Sequence, residues 1–271
     1  MHRNTSSTFR TKPPLDEIIH EQDGASFRSL IGSLLYAAIT TRPDISEAVR
    51  YLSSHQLCPT AELWIAAKRV LAYLKCTPHI GLKYSGPAKG EKMELIGYSD
   101  ASWGNTPEER RSVSGFAFKY GPCLLTWKSS RQKSIALSTA EAEYMALSDA
   151  AREAIYMRWL LNSILGIGDR DELDSQPPVK IFEDNQAAIR MAINPTSHDR
   201  SKHIDIRYNY VRDKVLAGKL DIVYIPTKEQ AADIFTKTLN PVMFKEARNL
   251  LGMTNRVELR GVLDLGDLGI K

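Results

Sequence analysis

At 271 residues the chain is long enough for one or two domains, each with a proper core. Charged residues make up 25% and hydrophobic residues 43%, an ordinary globular composition, and a net charge of +4 allows a polyanionic partner without requiring one. Three cysteines (Cys58, Cys76, Cys123) with no CxxC pair argue against a disulfide framework and for reduced thiols.

Residues 1–25 are polar, carry Pro13 and Pro14, and predict no fixed structure of their own. They are basic but lack an apolar core, so no secretory leader is expected. The longest apolar run, residues 30–39, is interrupted by Gly32 and Ser33 and is too short to span a bilayer. The expectation is an intracellular protein, cytoplasmic or nuclear, with no membrane partner. FRSLIGSLLYAAI, DISEAVRYLSSH and AELWIAAKRVLAYL then read as three helices, with Pro43 suited to the first turn of the second. They predict a helical subdomain over residues 26–85.

From there the texture changes. GLKYSG, MELIGYSD, SGFAFKYG, LLTWKSS and SIALS are short, aromatic or β-branched, and punctuated by turn residues, so they read as strands in hairpin order. A long helix is expected over 140–165, a buried strand at VKIFED, and helices at NQAAIRMAIN and HIDIRYNYVRDKVLAG. A strand at KLDIVYIP and a helix at EQAADIFTKTL complete the pattern. This order predicts an α/β domain over 92–240 whose sheet is antiparallel first and parallel later, followed by a C-terminal helix and tail over 241–271.

Four acids stand out in this frame. Asp100 ends MELIGYSD, where a turn aspartate is the plain alternative. The long helix offers Glu141 and Glu143. Ser138 and Glu141 fit a capping box, which gives Glu141 a structural task. Glu143 lies about 200° further round, among Ala146, Leu147 and Ala150, where a carboxylate is costly unless liganded. Asp184 ends VKIFED; if Asn185 caps the next helix, Asp184 is free at the carboxyl end of a strand, where ligands gather in open α/β sheets. Asp233 falls beside Ala231 and Ala232, with Thr227 and Gln230 as a second capping box. Carboxylates gathered in this way repel, by roughly 3 kcal/mol per pair at ~6 Å and an effective dielectric of ~20, unless a cation sits among them. Hard oxygen ligands suit Mg²⁺.

YSDASW, LSTAEAEYMAL, FEDNQAAI and QAADIFTK, in order over residues 93–253, resemble the ribonuclease H domain of Ty1/copia-type retrotransposon Pol polyproteins. SFRSLIGSLLYAAITTRPDISEAVRYLSS and AELWIAAKRVLAYLK resemble the end of the same family's reverse transcriptase. The resemblance implies a ribonuclease H-like fold, a five-stranded mixed sheet with flanking helices. It implies a catalytic, metal-holding quartet carried onto Asp100, Glu143, Asp184 and Asp233, with two Mg²⁺ (or Mn²⁺) ions and Asp100 as the carboxylate expected to bridge them. It further implies hydrolysis of the RNA strand of an RNA–DNA hybrid.

Hybrid selection would then come from groove width and 2′-hydroxyls, with Asn185 and Gln186 placed for such contacts. Lys128, Arg131 and Lys133, and separately Lys202 and Arg207, are candidates for phosphates, against the plainer reading of a solvated face. Related enzymes use a mobile histidine before the last acid, but no histidine stands between Tyr224 and Asp233; His198 and His203 read as solvated or capping residues. There is no Y-x-D-D polymerase motif and no His/Cys zinc module. The chain is therefore expected to be a C-terminal portion of a polyprotein, with the missing reverse transcriptase portion as a partner. The alternative is a catalytically silent fragment that folds and at most binds nucleic acid.

Overall fold

The computed structural model describes residues 21–87, 89–90, 92–104, 110–166, 176–193 and 202–255, without the side chains of 21–25, 202–206 and 208. Helix α1 (Glu21–Thr40) begins earlier than expected, which corrects the unstructured reading for residues 21–25. The rest of that segment lies outside the described residues. A 3₁₀ turn (Pro43–Ile45), α2 (Ser46–Ser53) and α3 (Ala61–Cys76) follow. Phe27, Ile31, Leu34, Val49, Leu52 and Ala67 form the core between these helices.

Hydrogen bonds to Ala38 and Tyr73 help fasten this helical layer to the remainder. The Trp127 indole N–H donates to the Ala38 carbonyl at 2.8 Å. Buried Arg42 grips Asp44 through two bonds of 3.0 and 2.9 Å, the Tyr73 hydroxyl donates to Asp44 at 2.6 Å, and Arg248 donates to Tyr73 at 2.8 Å. Asp44→Ala leaves the buried Arg42 guanidinium without its counter-ion, bonded only to Thr77, at a cost of ~3–5 kcal/mol. The expected result is a fall of that size in the urea unfolding free energy.

Strands β1 (Ile80–Leu82), β2 (Leu95–Ser102), β3 (Val113–Tyr120) and β4 (Cys123–Arg131) precede the long helix α4 (Thr139–Leu165). Then come β5 (Val179–Glu183), α5 (Gln186–Ile193), α6 (Lys202–Leu216) and β6 (Leu220–Tyr224). Two 3₁₀ turns (Thr227–Glu229 and Ala231–Phe235), α7 (Pro241–Leu250) and β7 (Met253–Asn255) end the described chain. The principal sheet has the order β4-β3-β2-β5-β6. β2 and β3, and β3 and β4, pair antiparallel, while β2 and β5, and β5 and β6, pair parallel. This five-stranded mixed sheet with flanking helices is the ribonuclease H-like architecture expected.

Its two faces are covered differently. Phe116 and Phe118 pack with Tyr144, Leu147, Ala150 and Ala151 of α4. Ala117 and Leu124 pack instead with Ala231, Ala232, Phe235 and Leu251. Gly97 is required beneath the Phe118 ring, where a Cβ would come within 2.4 Å of an aromatic carbon.

Four local expectations are corrected. GLKYSG yields only β1, which pairs antiparallel with β7 rather than joining the hairpin series. SIALS forms no strand, because it supplies the approach to α4, ending in that helix's N-cap, Ser138. β2 runs on to Ser102, so Asp100 lies within a strand, not at its end. EQAADIFTKTL is not an α-helix: Gln230 takes an extended conformation (φ −75, ψ 100) that divides it into the two 3₁₀ turns.

Candidate metal centre

Asp100 projects from β2 opposite Gly115 of β3. Because Gly115 has no side chain, the second 3₁₀ turn descends onto the sheet; a Cβ there would lie 2.7 Å from both Phe235 Cβ and Thr236 Cγ2. That approach delivers Asp233 to Asp100. The Thr236 hydroxyl donates to Asp100 Oδ2, and the Lys237 ammonium donates to Asp100 Oδ1 at 3.0 Å and Asp233 Oδ1 at 2.8 Å. Gly115→Ala must push this turn outward, at ~1–3 kcal/mol for overpacking. The expected outcome is lower stability in denaturant together with weaker divalent-cation binding by calorimetry.

Glu143 arrives from the first turns of α4. Ser138 accepts from the Glu141 N–H at 3.2 Å, and Glu141 Oε2 accepts from the Leu137 N–H at 2.8 Å, so the box reaches one residue further back than expected. Gln132 ties this helix start to the sheet, donating to Ser114 Oγ at 2.8 Å and the Ala142 carbonyl at 2.9 Å. Glu143 is thereby held with only 4% of its surface exposed.

Asp184 follows β5. Asn185 Oδ1 accepts from the N–H groups of Ala187 and Ala188 at 2.9 and 3.1 Å, capping α5 and leaving Asp184 to the site. The expected Thr227–Gln230 capping box does not form. Thr227 Oγ1 instead donates to Asp184 Oδ2 at 2.7 Å. Buried Gln230 donates to the Ser99 carbonyl at 2.9 Å and the Phe182 carbonyl at 3.5 Å, strapping β2 to β5, and accepts from Ala232 N–H.

The result is two carboxylate triads. Oxygens of Asp100, Asp184 and Asp233 lie within 4.8 Å of one another, and so do those of Glu143, Glu183 and Asp184. Asp184 is the member common to both triads, whereas Asp100 was the expected bridge. Glu183 was not expected at all.

The electrostatics are those of a site short of positive charge. Burial, opposed by Lys237 and reinforced by Asp233, pushes the Asp100 carboxyl up to about 7. Burial and the neighbouring Asp100, Glu183 and Asp184 push Glu143 up to about 11. Glu183 rises well above the ordinary carboxylate range, chiefly through burial and Asp100, and burial also raises Asp233 against the pull of Lys237. Burial would lower the Lys237 ammonium, but Asp100 and Asp233 outweigh it and drive it up. The donor set fits a hard divalent cation: it is all oxygen, and Glu143 Oε2, Glu183 Oε2 and Ser99 Oγ are buried without a hydrogen-bond partner.

The candidate substrate contacts are distributed around this centre. Asn185 and exposed Gln186 sit at the start of α5 beside Asp184. Lys128 and Arg131 lie on edge strand β4 and exposed Lys133 just beyond it. Ser129 stands across from Gly115, which stands across from Asp100, so this basic edge is two strand spacings, about 10 Å, from the acids. Arg207 is half-buried on α6. His198 and the side chains of Lys202 and His203 lie outside the described residues. Sequence reasoning missed Lys237, although its i,i+4 spacing from Asp233 was a usable signal.

No protein-family model matches the chain. The retrovirus-related Pol polyprotein from transposon RE1 of Arabidopsis thaliana is 37% identical over 232 residues, covering 86% of this chain and 15% of that polyprotein. The chain thus spans about 15% of the length of the Pol polyproteins it matches. Secreted RxLR effector protein 161 of Plasmopara viticola is 43% identical over 131 residues, covering 48% of this chain and 90% of that protein. Among solved structures, the foamy viral protease–reverse transcriptase in complex with RNA/DNA hybrid aligns with a TM-score of 0.47 at 11% identity, over 75% of this chain and 25% of that one. No helix among the described residues is long and apolar enough to cross a membrane.

Proposed function

We propose that this chain, which belongs to the family of copia-type retrotransposon Pol polyproteins, is a metal-dependent ribonuclease H that hydrolyses the RNA strand of RNA–DNA hybrids. The observation that carries this reading is the pair of carboxylate triads meeting at Asp184, with buried oxygens left unpartnered. Asp100, Glu143, Asp184 and Asp233 would hold two Mg²⁺ ions, and the same oxygen donors accept Mn²⁺. Bound there, the metal supplies a water of lowered pKa and charge stabilisation for the departing 3′-oxygen.

The chain's own residues perform the positioning. Thr227 fixes one Asp184 oxygen, Gln230 locks the ends of β2 and β5 together, and Gly115 lets Asp233 approach. Lys237, one-third exposed, supplies positive charge at the rim of the site. Asn185 spends its oxygen on capping α5, so its amide N–H₂ is the group available for a 2′-hydroxyl, beside the exposed Gln186. Lys128, Arg131 and Lys133 line the neighbouring edge as phosphate contacts that fix the duplex without reading sequence. A reverse transcriptase portion of such a Pol polyprotein would extend the grip on the hybrid.

Substrate choice tests the reading. Given equal amounts of RNA–DNA hybrid, RNA duplex and DNA duplex, each labelled on both strands, the protein is expected to cut only the RNA of the hybrid. Cutting of the DNA duplex at a comparable rate would assign the centre to a different nuclease of the same fold.

A further inference from the structure

We infer that Glu183 is a fifth metal-ligating carboxylate, forming with Glu143 and Asp184 the seat of one of the two divalent cations. The inference rests on the metal-centre reading above and deepens it.

Glu183 is the last residue of β5, and alternation along that strand puts it on the same side as Val179 and Ile181. All three are buried, and Glu183 has no exposed surface. Its backbone is pinned, since its carbonyl accepts from the Ile225 N–H at 3.1 Å. Its Oε1 accepts from the Asn185 N–H at 3.2 Å. Its Oε2 makes no hydrogen bond of normal length, only a weaker interaction with the Ser99 hydroxyl, and Oε2 of Glu143 in the same triad has no hydrogen-bond partner. A glutamate whose task was only to cap the β5–α5 turn would need one oxygen; the other is buried without a hydrogen bond of normal length, in a residue with two further carboxylates within 4.8 Å.

Charge separates the two triads. Lys237 bridges Asp100 and Asp233, so the first triad already has a resident cation. Among the described residues no ion pair is formed by Glu143, Glu183 or Asp184. Three oxygens within 4.8 Å, two of them from buried side chains with unsatisfied lone pairs, form a set for a hard divalent cation. Asp184, held from the other side by Thr227, belongs to both triads and would link the two ions.

Calorimetric titration with Mn²⁺ tests this on folded protein, independently of cleavage. Wild type is expected to show two binding events. Glu183→Gln, which keeps the shape and the Asn185 contact, is expected to weaken one event tenfold or more. It should be the event that Glu143→Gln weakens, with the event weakened by Asp233→Asn unchanged. A Glu183→Gln isotherm superimposable on wild type, from a chain with a native circular dichroism spectrum, overturns the inference and leaves the four-acid centre standing. Absence of any Mn²⁺ binding to wild type overturns the metal-centre reading itself. Should Glu183→Gln fail to fold, Glu183→Met, of similar length and with no ligating oxygen, takes its place, with the same expected and overturning results.

Discussion

Asp100→Asn is expected to reduce hybrid cleavage by ~10³-fold or more, about 4 kcal/mol of transition-state stabilisation, while making the metal-free protein more stable at about pH 8. The two effects have one cause. Asp100 is fully buried, and its carboxyl is pushed up to about 7 despite the opposing ammonium of Lys237. Keeping it ionised without metal is therefore uphill. Asparagine preserves the shape: its Oδ1 can accept from Lys237 while its amide N–H₂ donates to the Thr236 hydroxyl, which still donates to the Asp233 carbonyl, and it brings no charge to desolvate. The stabilisation should be on the order of 1–4 kcal/mol, read from urea unfolding in EDTA. A variant that loses both activity and stability would make Asp100 a structural residue.

The second large effect is on pH dependence. The Asp100 carboxyl moves from an ordinary value of 3.8 to about 7 on folding. Below about 4 both states are protonated and the contribution is fully present. Between about 4 and about 7 the folded protein holds a proton that the unfolded chain has released, so stability falls as pH rises. Glu143, pushed up to about 11, extends the decline into the alkaline range. The metal-free protein should thus melt at a higher temperature near pH 5 than near pH 8. Divalent cation reverses the slope, because it takes the place of those protons. Mg²⁺ should raise the midpoint more near pH 8 than near pH 5, and calorimetry in buffers of different ionisation enthalpy should detect proton release on binding. A metal-free midpoint that rises from pH 5 to pH 8 would contradict the buried-acid account.

These effects hinge on contacts of very different visibility in the sequence. Local features were legible: the alternation in MELIGYSD, the Ser138–Glu141 cap that singled out Glu143, and Asn185 capping α5 so that Asp184 was freed. Each depends on residues within one turn or one strand. What was hidden depends on the third dimension. Nothing in EQAADIFTK announces that the Gln230 amide N–H₂ will tie β2 to β5 while its oxygen caps the following 3₁₀ turn, from an extended backbone that interrupts the helix the pattern predicted. Nothing local marks Gly115 as the gap through which Asp233 comes down, since the crowding atoms belong to Phe235 and Thr236. The pairing of β1 with β7 joins Ile80–Leu82 to Met253–Asn255, segments far apart in the chain, and no short-range pattern encodes it. Glu183 is the intermediate case. Strand alternation already placed it with Val179 and Ile181, and a buried glutamate in that register demands a partner or an ion.

The most direct test is cleavage of a labelled RNA–DNA hybrid by purified wild-type protein and Asp184→Asn, each in Mg²⁺ and in EDTA. Asp184 joins the two triads, so the account predicts cutting of the RNA strand by wild type in Mg²⁺ alone, and none by the variant in either condition. RNA cleavage that persists in EDTA, or in Asp184→Asn with Mg²⁺, would contradict it. So would a folded wild-type protein that cuts nothing at high concentration, which would leave the silent-fragment alternative in its place.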